Sequence, residues 1–163
     1  MTSVDEAQTG EAGGSVYSSP GLAWSIFLLS LVGVALSAYL FYAHLNTTAV
    51  LACPENATIN CAKVTTSPQS YFLGIPVSLL GLLFYVAFSV VNFPRFAAGR
   101  ALGILRFAMA LVAIGFVLWL VYAELLLVGA ICLYCTGVHL VTLFIFLLVV
   151  YSSVQSGLFS RRS

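Results

Sequence analysis

Four long apolar runs, separated by short polar stretches, constrain the fold of this chain more than any other feature. They cover about residues 21–44, 72–91, 102–126 and 131–152. A helix needs roughly 20 apolar residues to cross a bilayer, and each run has about that length. Backbone groups in lipid must be hydrogen-bonded within their own segment, so each run is expected to be helical. We therefore expect an all-α integral membrane protein with a bundle of four transmembrane helices.

Composition and charge support this fold class and exclude others. Hydrophobic residues make up 61% of the 163 residues and charged residues only 7%, which is far from the balance of soluble globular domains. The net charge of +1 offers no basic surface, so nucleic acid is not an expected partner.

The polar segments at the two ends of the chain flank one predicted membrane domain, residues 21–153. Residues 1–20 are rich in Gly, Ser and Thr and contain three acidic residues, so we expect a disordered tail. Residues 45–71 form a large loop between the first two helices, and loops of this length are usually functional. Residues 154–163 form a second tail.

The positive charges predict the orientation of the bundle. Lys63 is alone on one side of the membrane. Five arginines fall on the other side: Arg95, Arg100, Arg106, Arg161 and Arg162. By the positive-inside rule, both tails are expected to be cytoplasmic and the large loop extracytoplasmic.

Four cysteines share the extracytoplasmic face, because two membrane crossings separate Cys53 and Cys61 from Cys132 and Cys135. Disulfides persist on that face of a bacterial inner membrane or of the endoplasmic reticulum. Cys132 and Cys135 begin the last helix, where the helix dipole favours a thiolate, so they are predicted to form a redox dithiol. One mobile pair in the loop and one fixed pair on a helix suit thiol-disulfide exchange, with a lipid-soluble quinone as the simplest final acceptor.

Other interpretations of the cysteines remain open, because four cysteines allow three pairings. Cys53 and Cys61 alone suit a disulfide that holds the loop of a non-enzymatic membrane scaffold. Cys132 and Cys135 also suit buried, unreactive packing residues. A four-cysteine zinc site is a weaker alternative, since the gap between Cys53 and Cys61 exceeds the usual ligand spacing.

Several motifs together resemble the vitamin K epoxide reductase family, whose bacterial homologues oxidise thioredoxin-like proteins. Cys53 and Cys61 have seven residues between them, and Ser67 follows six residues later. Gly74-Ile75-Pro76 stands at the start of the second helix, and the Cys132-Leu133-Tyr134-Cys135 motif begins the fourth. The resemblance covers about residues 22–152.

The resemblance implies a four-helix bundle around a quinone, capped by the loop and by a short helix near Thr65–Tyr71. It implies that Cys135 faces the quinone and that Cys132 exchanges with Cys61. Cys53 would then meet a separate, extracytoplasmic thioredoxin-like partner. No metal is expected.

Four further residues are candidates for binding the quinone: Ser67, Val77, Ser78 and His139. Ser67 either lies near the ring or caps the helix that follows. Animal members carry an Asn at the start of the second helix where this chain has Val77 and Ser78, and a Tyr where it has His139. His139 is one turn from Cys135, so it either serves the dithiol or hydrogen-bonds a neighbouring helix. Glu124 either relays protons or reaches headgroup water.

These observations predict a membrane thiol:quinone oxidoreductase that supports disulfide formation in the bacterial inner membrane. The quinone is expected to be of the menaquinone, ubiquinone or vitamin K type. A vitamin K epoxide reductase of the endoplasmic reticulum is the alternative within the family. A four-span scaffold with a disulfide-held loop is the alternative outside it.

Overall fold

The fold is described by a computed structural model covering residues 20–46, 53–54, 56–94 and 99–158. The first predicted tail lies outside the described residues except for Pro20, and the second is described only as far as Leu158. Three of the arginines that predict the orientation also lie outside them: Arg95, Arg161 and Arg162.

Helices dominate the described chain. They are α1 (Pro20–Leu45), α2 (Cys61–Thr65), α3 (Val77–Val91), α4 (Arg100–Tyr122) and α5 (Leu133–Gln155). Shorter elements complete the order: a 3₁₀ turn at Pro68–Ser70, the strands β1 (Tyr71–Phe72) and β2 (Ile75–Pro76), and a π-helix at Ala123–Val128.

Three helical segments among the described residues are long and apolar enough to cross a membrane: α1, α4 with its π-helical extension, and α5. The fourth apolar helix, α3, has 15 residues and is about 22 Å long at 1.5 Å per residue. A hydrocarbon core is about 30 Å thick, so α3 alone is shorter than a usual span. The chain is a mostly helical membrane protein, and a full fourth span stays a prediction.

The second helix starts later than the sequence predicts. Residues 72–76 were expected to be helical, but β1 and β2 pair as an antiparallel hairpin, with Tyr71 opposite Pro76. Leu73 and Gly74 turn the chain with φ angles of 52° and 82°. Proline disfavours helical geometry in the residue before it, so the helix begins only after Pro76.

The predicted short helix near Thr65–Tyr71 is also replaced, by two shorter pieces. Helix α2 begins at Cys61, where the Asn60 side chain caps it by accepting a 2.8 Å hydrogen bond from the Lys63 amide. It ends at Thr65, and the 3₁₀ turn starts at Pro68.

The bundle core forms where α1 packs against α3 and α5, with α4 against α5. Tyr85 of α3 is at its centre and is only 2% exposed. Its hydroxyl group is 2.7 Å from the Thr142 hydroxyl and donates to the Val138 carbonyl at 3.2 Å. Gly33 of α1 faces the Tyr85 ring so closely that an added Cβ would overlap ring atoms. This contact lets α1 and α3 approach each other.

We expect Gly33→Ala to destabilise the protein by about 1–3 kcal/mol, because the hydrogen-bonded Tyr85 ring cannot move aside without loss. Thermal unfolding in detergent measures the effect. Gly115→Ala in α4 is the matched control, since a Cβ there meets no atom within 4 Å. Equal unfolding temperatures for the two variants would contradict this account of the α1–α3 contact.

Candidate functional site

The loop cysteines are joined by a disulfide between Cys53 and Cys61. Cys61 begins α2 and is fully buried, whereas Cys53 is only partly buried. This bond selects one pairing among those that the sequence left open. It leaves Cys53 as the more accessible of the two sulfurs.

Cys132 and Cys135 are free thiols at the start of α5. The buried Cys132 holds the N-cap position, and its Sγ accepts a hydrogen bond from the Cys135 amide at 3.3 Å. A hydrogen bond with the Cys135 side chain lowers the pKa of the Cys132 thiol below its ordinary value. Cys132 is therefore the thiol of this pair with the greater tendency to act as a thiolate.

Backbone pairing brings the two cysteine pairs together. The Ile131 amide donates to the Thr58 carbonyl at 2.9 Å, and the Asn60 amide donates to the Ile131 carbonyl at 3.1 Å. Cys61 follows Asn60 and Cys132 follows Ile131, so the same short bridge positions both cysteines. Both are fully buried in one cluster.

A cavity of about 820 Å³, including its open mouth, lies beside this cluster. All the predicted quinone-binding residues line it, together with one cysteine: Ser67, Val77, Ser78, His139 and Cys135. The other three cysteines are not among its lining residues. Cys135 therefore lines the cavity and Cys132 does not, while Cys135 is also partly buried against the cluster that contains Cys61 and Cys132.

The polar candidates differ in their hydrogen bonds. Ser67 precedes the 3₁₀ turn, but its hydroxyl group donates back to the Val64 carbonyl at 2.7 Å, so its side chain does not cap that turn. Ser78 Oγ is buried and has no hydrogen-bond partner among the described residues. The His139 ring is 8% exposed and makes no hydrogen bond to a neighbouring helix within the described part of the chain.

Other cavity residues were not assigned to the site from the sequence. His44 at the end of α1 places its Nε2 2.9 Å from the Tyr71 hydroxyl oxygen, which links α1 to the hairpin beside the cavity. Glu124 is 7% exposed and interacts with the Cys135 side chain, although the sequence left open whether it reaches headgroup water. The only sequence feature that pointed to Glu124 was its position as a single acidic residue in a long apolar run.

The sequence predicts no metal, and the side chains that could bind one are the His, Cys, Asp and Glu residues in the described part of the chain. There, no group of three or more His, Cys, Asp or Glu side chains is placed to hold an ion. The disulfide also removes Cys53 and Cys61 from any four-thiolate zinc site in this state.

A comparison with known proteins identifies the family of the chain. Residues 24–150, well over half of the chain, match the profile of the vitamin K epoxide reductase family. No curated protein sequence gives a significant match to the chain. The chain therefore belongs to the vitamin K epoxide reductase family of membrane oxidoreductases, which act between thiols and quinones.

Proposed function

We propose that this protein passes electrons from an extracytoplasmic thioredoxin-like protein to a membrane quinone and so supports disulfide-bond formation. The observation that carries the proposal is that Cys132 and Cys135 lie in different surroundings. Cys132 packs with the loop cysteine Cys61, while Cys135 lines the cavity. A dithiol between a loop disulfide and an apolar cavity suits transfer between a soluble partner and a lipid-soluble acceptor.

The loop receives the electrons first. A partner thiolate attacks Cys53, the more accessible sulfur, and forms a mixed disulfide that releases Cys61 as a thiolate. A second partner thiol then resolves the mixed disulfide. The partner leaves with a new disulfide, and the loop keeps two electrons as two thiols.

The second exchange moves those electrons to the helix pair. The Cys61 thiolate attacks Cys132 of an oxidised Cys132–Cys135 pair, and Cys135 leaves as a thiolate. Cys53 then attacks Cys61, which restores the loop disulfide and releases Cys132. The product, with an oxidised loop and a reduced helix pair, has the same bonding as the structure.

The lining of the cavity suits a quinone. Most of the lining surface is apolar, as in typical ligand pockets, and Val77 contributes to it. Ser78 has a buried hydroxyl group that is left to donate to a carbonyl oxygen. His139 offers a second donor, and Ser67 positions the loop beside the ring. A bound quinone would accept two electrons and two protons.

The positive-inside rule supports an orientation with both tails cytoplasmic and the cysteines extracytoplasmic. In this arrangement α3 and the hairpin make the fourth crossing of a domain at residues 21–153, with the loop 45–71 outside. A bacterial inner membrane suits this role. A scaffold with a disulfide-held loop would show the same Cys53–Cys61 bond but would reduce no quinone.

The first experiment follows the absorbance of menaquinone and ubiquinone analogues with purified, dithiol-reduced protein in detergent. We expect turnover in the wild type and a loss of at least about 10²-fold in Cys135→Ala, because the sulfur that faces the cavity is gone. Tyr134→Phe, in the same motif, is the control and should retain activity. A folded wild type without turnover would favour the scaffold.

The contact between Cys132 and the loop predicts a trapped intermediate. In Cys135→Ala, the Cys132 thiolate should attack Cys61, forming a Cys132–Cys61 disulfide and releasing the Cys53 thiol. Non-reducing gels and mass spectrometry of linked peptides measure this product. The Cys132→Ala/Cys135→Ala double variant should form none. A Cys132–Cys53 link as the main product would refute the assigned order.

Ser78→Ala should weaken quinone binding without weakening the fold. A buried hydroxyl group without a partner costs stability, so the variant should unfold at the same or a higher temperature. Losing one donor to the quinone should raise KM about 5–10-fold. Ser89→Ala is the matched control, because Ser89 Oγ is hydrogen-bonded at 2.7 Å to the Tyr85 carbonyl oxygen and lies outside the cavity lining. An unchanged KM in Ser78→Ala would remove Ser78 from the site.

A further inference from the structure

Glu124 is a buried carboxyl group to which the electron relay assigns no role. It stands in the segment that continues α4 across the membrane, where ionisable side chains are costly and commonly functional. Only 7% of it is exposed, and it lines the same cavity as Cys135. Its burial in this place needs an explanation.

The π-helix turns Glu124 toward the cavity. Ala123 and Glu124 are its buried residues, whereas the three leucines that follow are exposed on the outer face. The segment ends at Gly129, whose left-handed φ of 63° lets the Ala130 amide donate to the Glu124 carbonyl at 3.2 Å. Single π-helical turns are rare and are often found at functional sites.

The partners of Glu124 are groups of the redox motif. Its carboxyl group interacts electrostatically with the Cys135 side chain and the Cys132 backbone. The other titratable groups that line the cavity are His44 and His139. Among the described lining residues there is no Lys or Arg, so an ion pair does not account for this carboxyl group.

We propose that Glu124 accepts the Cys135 thiol proton during electron transfer and delivers it within the cavity to a quinone oxygen. The inference rests on the proposed function and deepens it by naming the group that carries a proton. Cys135 and Glu124 line the same mostly apolar cavity, so a base beside the thiol replaces water as its proton acceptor.

The step balances in protons and electrons. Cys135 gives its proton to the Glu124 carboxylate, and Cys132 releases its proton to water at the membrane face. The two sulfurs join in a disulfide, and their two electrons pass to the quinone. Glu124 returns its proton to one quinone oxygen, and the other oxygen takes one proton from water at the mouth of the cavity.

Glu124→Gln tests the role of the carboxyl group in transfer. Glutamine keeps the size of the side chain but cannot accept the proton, so quinone reduction at pH 7 should fall about 10²-fold, as for loss of a general base. Leu126→Ala is the matched control, because Leu126 is in the same π-helix and 70% exposed. Wild-type rates in Glu124→Gln would overturn the proposal.

A second readout needs no quinone. In fully reduced protein, the rate of iodoacetamide addition at Cys135 is measured by mass spectrometry of the labelled peptide. A carboxylate beside a thiol opposes thiolate formation, so Glu124→Gln should react roughly tenfold faster at pH 7. The same variant would then be slower in quinone reduction and faster in alkylation, which a merely structural defect does not produce.

The two readouts separate this proposal from the proposed function. Slow quinone reduction with unchanged alkylation would overturn proton transfer and leave Glu124 a structural role. If the wild type reduced no quinone, the proposed function would fail, and the proposed delivery of the proton to a quinone would fail with it. The alkylation rates would then still decide whether Glu124 acts on the Cys135 proton.

Discussion

Two backbone hydrogen bonds between the loop and the segment before α5 are the contact on which the candidate site depends. They join Thr58 and Asn60 to Ile131. Backbone hydrogen bonds are directional, so they fix which residues of the loop lie opposite which residues of the segment before α5. The residues that follow the paired positions are Cys61 and Cys132, so the register itself brings a loop cysteine to the redox motif. The Cys53–Cys61 disulfide then ties the remaining loop cysteine to the same place.

A second constraint on the structure is that the helices face lipid on the outside of the bundle while a cavity lies within it. Helices that face hydrocarbon must satisfy the hydrogen bonds of their own backbone. The irregular segments beside the cavity are the loop, through Ser67 and Ser70, and the π-helix, through Glu124 and Val128. Polar groups there act in apolar surroundings, where hydrogen bonds and charges have stronger effects than in water. In the proposed mechanism, a few side chains, such as Ser78, His139 and Glu124, therefore act on the quinone or on Cys135.

Much of the fold follows from local sequence. The apolar runs predict the helical membrane protein, and the predicted first helix, residues 21–44, agrees closely with α1 (Pro20–Leu45). The second run was harder to place, because hydropathy does not distinguish a helix from the strand residues Tyr71, Phe72 and Ile75. Gly74 and Pro76 carried the turn signal, but they were assigned to the start of a helix. The short span of α3 is a consequence of that turn.

The sequence by itself determined the helical membrane fold, the spacing of the four cysteines and the family resemblance, because hydropathy and motif spacing are local properties of the chain. The resemblance, and not the local pattern, assigned Cys135 to the quinone and Cys132 to the loop, and only the tertiary structure shows Cys135 in the lining of a cavity and Cys132 in one cluster with Cys61. It also decided the environment of Glu124, because the π-helix that turns this side chain inward has no recognisable sequence pattern. Side-chain direction depends on how α4, α5 and the loop pack together, and that packing involves residues far apart in the chain.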